Sequence, residues 1–330
     1  MASELDSLIQ NQVSEANSVR IFEQYVRPAL AEFFGVTLFV CVGCLAVTQS
    51  GSASAPGSVP FSGVSIALAH GLAIALLVCA LGDVSGAHLN PAVTLGVLLA
   101  GGISIPKAVI YFISQLIGSM TGAALARGIL PASVYELIGG GAHNLGSFAK
   151  DSVTPGQGVL CEMVLTMVLV MTVLLTAVDP ITKTTLAPLA IGFAVTVDIL
   201  AGILITGASM NPARSFGPAV AIAYHDSDIW NYHYVYWRLA KMPADLSVAL
   251  IGTLVCLGVQ RERRGPARGG RDSTQPQHPH PQSWSKRINT QVFVTGYFSK
   301  LLRCVTRLEA VVSLVCDKFF VRGGRAETFS

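Results

Sequence analysis

The sequence predicts an all-α membrane protein with six membrane-spanning helices and two short re-entrant half-helices, arranged as two inverted repeats. Three observations support this fold class. Only 12% of the 330 residues are charged and 52% are hydrophobic, whereas a soluble domain carries about 25% charged residues. Apolar segments long enough to cross a bilayer recur along the chain, and one short motif occurs twice. The composition excludes an ordinary soluble enzyme, a disordered chain and a nucleic-acid-binding protein.

Five segments are clear candidates for membrane-spanning helices, because about 20 consecutive apolar residues are needed to cross the hydrocarbon core. A polar segment, residues 1–28, precedes them and lacks a signal-peptide pattern, so we expect it to stay in the cytoplasm. The five candidates are residues 29–48, 62–81, 105–125, 158–178 and 186–205, and a weaker sixth lies between residues 230 and 259.

The sixth segment is atypical. After Trp237 the apolar pattern is interrupted by Arg238, Lys241, Pro243 and Asp245, and charges and proline are costly at membrane depth. A natural splice variant and an incorrect gene model are both compatible with this departure.

We expect one membrane domain over residues 29–259, with a first repeat at 29–127 and a second at 158–259. Residues 1–259 contain nine Lys/Arg and fourteen Asp/Glu, whereas residues 260–330 contain thirteen and five. The tail is therefore basic, and its low-complexity Gln/Pro/His stretch predicts disorder. Basic charge just after the last span predicts that both termini are cytoplasmic.

Two apolar segments, residues 90–99 and 211–221, are too short to cross a bilayer and are predicted to be re-entrant. Each begins with an Asn-Pro-Ala box. Asn is a favoured N-cap, and proline is favoured at the first helical position. Each box therefore predicts a half-helix whose unpaired N–H groups and positive dipole end lie inside the membrane. The residues of the two boxes are Asn90, Pro91, Ala92, Asn211, Pro212 and Ala213.

A constant offset of 121 residues relates the two boxes and their surroundings: Ser85 to Gly96 matches Thr206 to Gly217. With three spans per repeat, the two halves must have opposite orientations. Inverted repeats with broken helices at corresponding positions indicate a transport site near the bilayer midplane. There the paired positive helix ends would repel cations, and the two box asparagines would offer amide donors to a permeating molecule.

From about Tyr25 to Trp237 the sequence resembles the major intrinsic proteins, or aquaporins. The resemblance rests on both boxes, on Ala31-Glu-Phe, on Ser85-Gly-Ala-His and on the Arg-Ser-Phe-Gly-Pro that follows the second box. Segments near Ala69 and Gly192 are similar to the aquaporin-8 type. The resemblance implies passive channels, assembled as a homotetramer in a lipid bilayer, with no enzymatic activity, cofactor or metal.

The permeants implied by the resemblance are water and small neutral solutes: ammonia, hydrogen peroxide and, as a further candidate, urea. The implied location is the plasma membrane or an intracellular membrane, the mitochondrial membrane included. Two rival functions stay open at this point. A secondary transporter also has inverted repeats with broken helices, and the atypical sixth segment is compatible with a non-conducting structural or regulatory variant.

Arg214 directly follows the second box, where it could donate hydrogen bonds to a permeant while its charge excludes cations. The resemblance places it in the narrow selectivity filter of the family. Spacing from the boxes carries over the other filter positions as His70, Ile199 and Ala208. Strictly water-selective relatives hold an aromatic and a histidine at the first two, so the resemblance implies a wider, partly apolar constriction. The alternative for His70 is a hydrogen-bonded core histidine.

Glu32 and Glu162 are carboxylates inside apolar spans at equivalent points of the repeat. We expect them to support the re-entrant loops by accepting hydrogen bonds from otherwise unpaired backbone, and a proton relay is the alternative. Gly86 and Gly207 are expected to permit close backbone approach beside the boxes. The sequence assigns no role to Asp198.

Overall fold

The computed structural model of the chain describes residues 14–50, 63–146 and 151–236, and the secondary structure in these ranges is built from helices. The helices are α1 (Ser14–Ala46), α2 (Gly63–Ser85), α3 (Pro91–Leu99), α4 (Ile105–Ile129), α5 (Ala132–Leu137), α6 (Pro155–Val178), α7 (Ala187–Gly202) and α8 (Pro212–Ile222). Short 3-10 turns lie at Val47–Ser50, Gly139–Gly141, Ser227–Trp230 and His233–Tyr236.

The helices confirm the predicted all-α membrane fold. By length and composition α1, α2, α4 and α6 can cross a bilayer, and α7 is an apolar helix of 16 residues. Large apolar side chains lie exposed on the outer faces of these helices, which suits contact with lipid tails. They include Phe34, Leu38, Leu72, Leu76, Ile113, Phe193 and Val197. The predicted sixth span beyond residue 236 and the tail lie outside the described residues.

Helix α1 begins well before the predicted first span, since the polar residues from Ser14 onward are already helical. A π-helical turn at Phe22–Val26 separates this part from the apolar part. The turn has a local cause, because Pro28 cannot donate a backbone hydrogen bond and the ladder before it shifts to an i−5 partner, from Arg27 N to Phe22 O. Arg27 also forms an exposed ion pair with Glu23 at 2.7 Å.

Helices α1 and α4 pack closely because α4 presents glycines to the backbone of α1. A Cβ atom built on Gly118 would lie 2.5 Å from Phe33 O. Thr37 Oγ1 contributes a hydrogen bond across this contact, donating to Gly118 O at 3.1 Å. Helix α1 also packs against α2, α2 against α7, and α7 against α6.

Helix α4 also contacts α8, where Ser119 is inserted into the backbone ladder. Its hydroxyl donates to Ala213 O and accepts from Gly217 N at 3.1 Å. The hydroxyl therefore bridges two groups that would pair directly in a regular helix. Pro218 follows directly and lacks an N–H group, so α8 depends on α4 for its local shape.

Replacing Gly118 by alanine is expected to destabilise the protein by about 1–3 kcal/mol, the range typical of overpacking a tight interface. The added methyl group would meet the backbone carbonyl of Phe33, which cannot move without displacing α1. The midpoint of thermal unfolding of the detergent-solubilised protein measures the effect.

Gly128→Ala, near the end of the same helix, is the matched control, because a Cβ there meets no atom within 4 Å. In a helix this change is expected to be neutral or to stabilise by up to about 1 kcal/mol. Equal unfolding midpoints for the Gly118 variant and the unmodified protein would contradict the packing argument.

Candidate functional site

Each Asn-Pro-Ala box begins a half-helix, with its asparagine as N-cap and its proline at the first helical position. Asn90 Oδ1 accepts a hydrogen bond from Ala92 N at 2.8 Å. Asn211 Oδ1 accepts from Ala213 N at 3.1 Å and from Arg214 N at 3.2 Å. The carbonyl oxygen of each side chain is therefore used to cap its own helix, which directs the amide nitrogen away from that helix.

The two half-helix starts are joined by crossed hydrogen bonds. Asn90 Nδ2 donates to Met210 O at 2.8 Å, and Asn211 Nδ2 donates to Leu89 O at 2.9 Å. Because an amide nitrogen carries two hydrogens, each asparagine keeps one N–H beyond this bond. Both asparagines line the same cavity, so the free N–H groups are available to a molecule inside it.

Each loop that leads into a box is held by one buried carboxylate, and we call this arrangement a carboxylate anchor. Glu32 accepts hydrogen bonds from Ser85 Oγ at 2.6 Å, from the backbone N of residue 88 at 2.9 Å and from Leu89 N at 2.7 Å. Glu162 accepts from Thr206 Oγ1 at 2.6 Å, Ser209 N at 2.9 Å and Met210 N at 2.8 Å. The three donors of the second anchor follow these three donors of the first by 121 residues, the offset of the sequence repeat, and Glu32 accepts a fourth bond from Gln115 Nε2 at 2.8 Å.

The anchored loops hold backbone conformations that side chains rarely adopt. Three residues in each loop have positive φ, and only one of the three is a glycine. In each loop the left-handed conformation of the other two residues costs about 1–2 kcal/mol per residue. The hydrogen bonds to the anchoring carboxylate offset this cost. The residues are Gly86, Ala87 and Leu89 in the first loop and Gly207, Ala208 and Met210 in the second.

Two cavities meet beside the second box. The larger, about 350 Å³, contains both box asparagines, and the smaller, about 200 Å³, lies on the side of the Gly141–Asn144 loop. Four side chains line both cavities and so form the junction between them. They are His70, His143, Ile199 and Arg214.

Arg214 is 2% exposed and is held by neutral groups. Its Nη1 donates to Gly141 O at 2.9 Å, and its Nε lies 3.4 Å from His70 Nε2. His70 Nδ1 is 2.9 Å from Ile66 O, and a ring nitrogen facing a carbonyl must carry the proton. Its Nε2 is therefore an acceptor for the guanidinium. In the described part of the chain no carboxylate forms an ion pair with Arg214, so its charge acts on the junction.

His143 is the site residue that the sequence analysis missed. It lies in the loop between α5 and α6, and its Nδ1 is 2.8 Å from Ser215 Oγ, which is in turn 2.5 Å from Ser209 Oγ. Burial lowers the pKa of His143 well below its ordinary value, and the charge of Arg214 lowers it further. The imidazole is therefore neutral at physiological pH. A lone histidine in a Gly-rich loop has no periodic pattern that would have identified it.

The other residues that the sequence singled out lie outside the junction itself. Ala208 lines the larger cavity only, as does Gly86, whereas Gly207 lines the smaller one beside His143. Asp198, which had no predicted role, is 1% exposed in α7, and its Oδ2 has no hydrogen-bond partner among the described residues.

The chain is similar to known proteins in sequence and in fold. A family model described as major intrinsic protein matches residues 19–240. The chain is 41% identical to aquaporin-8 of Mus musculus, an alignment that covers 77% of this chain and 92% of that protein. It is 37% identical to the lens fiber major intrinsic protein of Gallus gallus, over 80% of this chain and 95% of that one.

Among solved structures, the aquaglyceroporin from Plasmodium falciparum aligns with a TM-score of 0.57. The alignment covers 73% of this chain and 98% of that chain, at 20% sequence identity. At that identity the likeness is one of fold.

Proposed function

Because the chain belongs to the major intrinsic protein family, whose members are membrane channels for water and small solutes, we propose that it conducts water, ammonia and hydrogen peroxide passively, with urea as a further candidate. The observation that carries the proposal is the junction of the two cavities at His70, His143, Ile199 and Arg214. A permeant has to pass between a fixed cation, two imidazoles and one aliphatic side chain.

The exclusion of protons and ions follows from two sets of fixed positive groups. The N-termini of α3 and α8 meet at the crossed asparagines, and helix N-termini carry about half a positive charge each. The Arg214 charge adds to theirs at the junction. Each box asparagine offers a free N–H to a permeating water, so that water must orient its oxygen toward the box. This orientation interrupts a proton-conducting chain of waters.

Small neutral solutes fit the composition of the junction. Ile199 offers no hydrogen bond, so one side of the constriction is apolar, while His70 and Arg214 keep polar atoms on the other side. Such a surface tolerates ammonia and hydrogen peroxide, which resemble water in size and hydrogen bonding. We further propose a homotetramer in the plasma membrane or an intracellular membrane such as the mitochondrial one, with both termini cytoplasmic.

Stopped-flow light scattering of proteoliposomes that contain the full chain tests the proposal. Flux of water and ammonia that rises linearly with the gradient and does not saturate is the expected result. Saturation would instead indicate a secondary transporter. Folded protein without flux above that of empty vesicles would indicate a non-conducting variant.

His143→Ala is expected to raise the permeability to urea several-fold relative to that of water, because removing one of four junction side chains widens the passage. The ratio of urea to water permeability in proteoliposomes measures it. His225→Ala is the control, since His225 lines neither cavity and makes a partly exposed contact with Glu136 at 3.5 Å. An unchanged ratio in the His143 variant would contradict the prediction that this side chain narrows the passage.

A further inference from the structure

Among the residues that the structure describes, two formally charged side chains line the larger cavity, and both are basic. One is Arg214, and the other is Lys107, in the first turn of α4. The remaining lining residues are apolar, uncharged polar or histidine. A cavity with carboxylates at its mouth would attract cations, whereas this one has a positive charge in its wall at two separate places.

The two charges lie near opposite ends of the cavity. Along α4, Lys107 is followed by Tyr111, which contacts the first anchored loop, and by Ser119, which contacts Ala213 directly before Arg214. Twelve residues separate Lys107 from Ser119, which is about 18 Å along a helix. Because Coulomb energy falls with distance, the Arg214 charge acts more weakly on a cation at the Lys107 end than on one at the junction.

Lys107 is held by an aromatic side chain of its own helix. Its Nζ lies 5.5 Å from the centroid of the Tyr111 ring, which is within the range of a cation–π contact. The Tyr111 hydroxyl donates to Ser85 O at 2.5 Å, and its ring is 5.2 Å from that of His88. Both Ser85 and His88 also line the cavity. The contact with the Tyr111 ring therefore holds the ammonium group close to the cavity wall.

No carboxylate in the described ranges forms an ion pair with Lys107. The ion pair found there joins Arg27 to Glu23, and Glu136 lies 3.5 Å from His225. The lysine is half-buried, so solvent screens its charge less than that of an exposed side chain. An unneutralised ammonium at the mouth of a narrow cavity raises the energy of any cation that enters.

We propose that Lys107 is a second cation barrier of the channel, at the end of the cavity opposite to the filter, and that it acts independently of Arg214. This inference rests on the proposed channel function. It assigns to one side chain a specificity role in the rejection of protons and other cations that reach the cavity from that side. With both barriers present, removing one leaves the other in place.

The test is therefore made in the Arg214→Ala background. Proton leak is followed with a pH dye trapped in proteoliposomes, at a membrane potential clamped with potassium and valinomycin. Adding Lys107→Met is expected to raise the leak by about three- to tenfold over Arg214→Ala alone, as expected for losing one partly screened charge. Lys107→Gln serves as a second neutral variant in case the first does not fold. Lys107→Arg keeps the charge and should restore the lower leak.

Lys183→Met is the matched control, because Lys183 is exposed in the turn after α6, does not line the cavity and lies at the same end of the bundle as Gly102 and Val178. It should leave the leak of the Arg214→Ala channel unchanged. Equal leak with and without the neutral Lys107 variants would overturn the inference.

Water flux, measured in the same vesicles, separates this inference from the proposed function. If the unmodified chain carries no water, the channel function itself fails. If it carries water but the neutral Lys107 variants leak no more than their background, only the second barrier fails.

Discussion

Arg214→Ala channels are expected to leak protons about a hundredfold faster than the unmodified protein while still conducting water. The Arg214 guanidinium is 2% exposed and is held by neutral partners. At about 5 Å, a unit charge repels a cation by about 3 kcal/mol at an effective dielectric constant of 20, which corresponds to roughly a hundredfold in rate. Proton leak and water flux, measured on the same proteoliposomes, give the two readings.

Two variants control for effects other than lost charge. Arg214→Lys loses the hydrogen bond to Gly141 O but keeps a positive charge. Because the charge is kept, this variant should leak fewer protons than the alanine variant. Arg127→Ala removes an exposed arginine near the end of α4 that lines neither cavity, and it should not leak. A proton leak that stays at the level of the unmodified protein in Arg214→Ala would contradict the assigned role.

Glu162→Ala is expected to lower the stability by about 3–9 kcal/mol, because it leaves three buried donors without an acceptor at about 1–3 kcal/mol each. These donors are Thr206 Oγ1, Ser209 N and Met210 N. Folded proteins are stable by only about 5–15 kcal/mol, so most of the variant should fail to accumulate as monodisperse protein. Size-exclusion profiles in detergent measure the amount of monodisperse protein, and thermal unfolding midpoints measure the loss of stability.

Glu162→Gln tests how the carboxylate acts. Glutamine retains one acceptor oxygen, but its amide N–H₂ would face a backbone donor, so it should also be strongly destabilised. If this carboxylate were instead a proton relay, the glutamine variant would stay as stable as the unmodified protein and would change only proton movement. Glu23→Gln, which breaks an exposed ion pair with Arg27, is the control and should change stability by less than about 1 kcal/mol.

Much of the fold could be predicted because hydropathy and capping are local. The observed bounds of α2, α4 and α6 lie within about a turn of the predicted spans at one or both ends. Helix α7 ends at Gly202 rather than continuing to residue 205. The chain leaves the helix there to enter the loop that Glu162 anchors, and that constraint comes from another helix. Helix α1 begins at Ser14, before the predicted first span, because polar residues can extend a helix beyond its apolar part.

The sequence by itself determined the two half-helix starts and the register of the two anchored loops. An asparagine N-cap acts over two or three residues, and the repeat offset of 121 relates Ser85 to Thr206 without reference to any fold. Only the tertiary structure decided which side chains in loops and at helix ends face the cavity. His143 reaches Ser215 across 72 residues, and Lys107 lies in the wall that contains Asn90. Such contacts depend on the path of a loop and on how whole helices pack, and no local pattern encodes either.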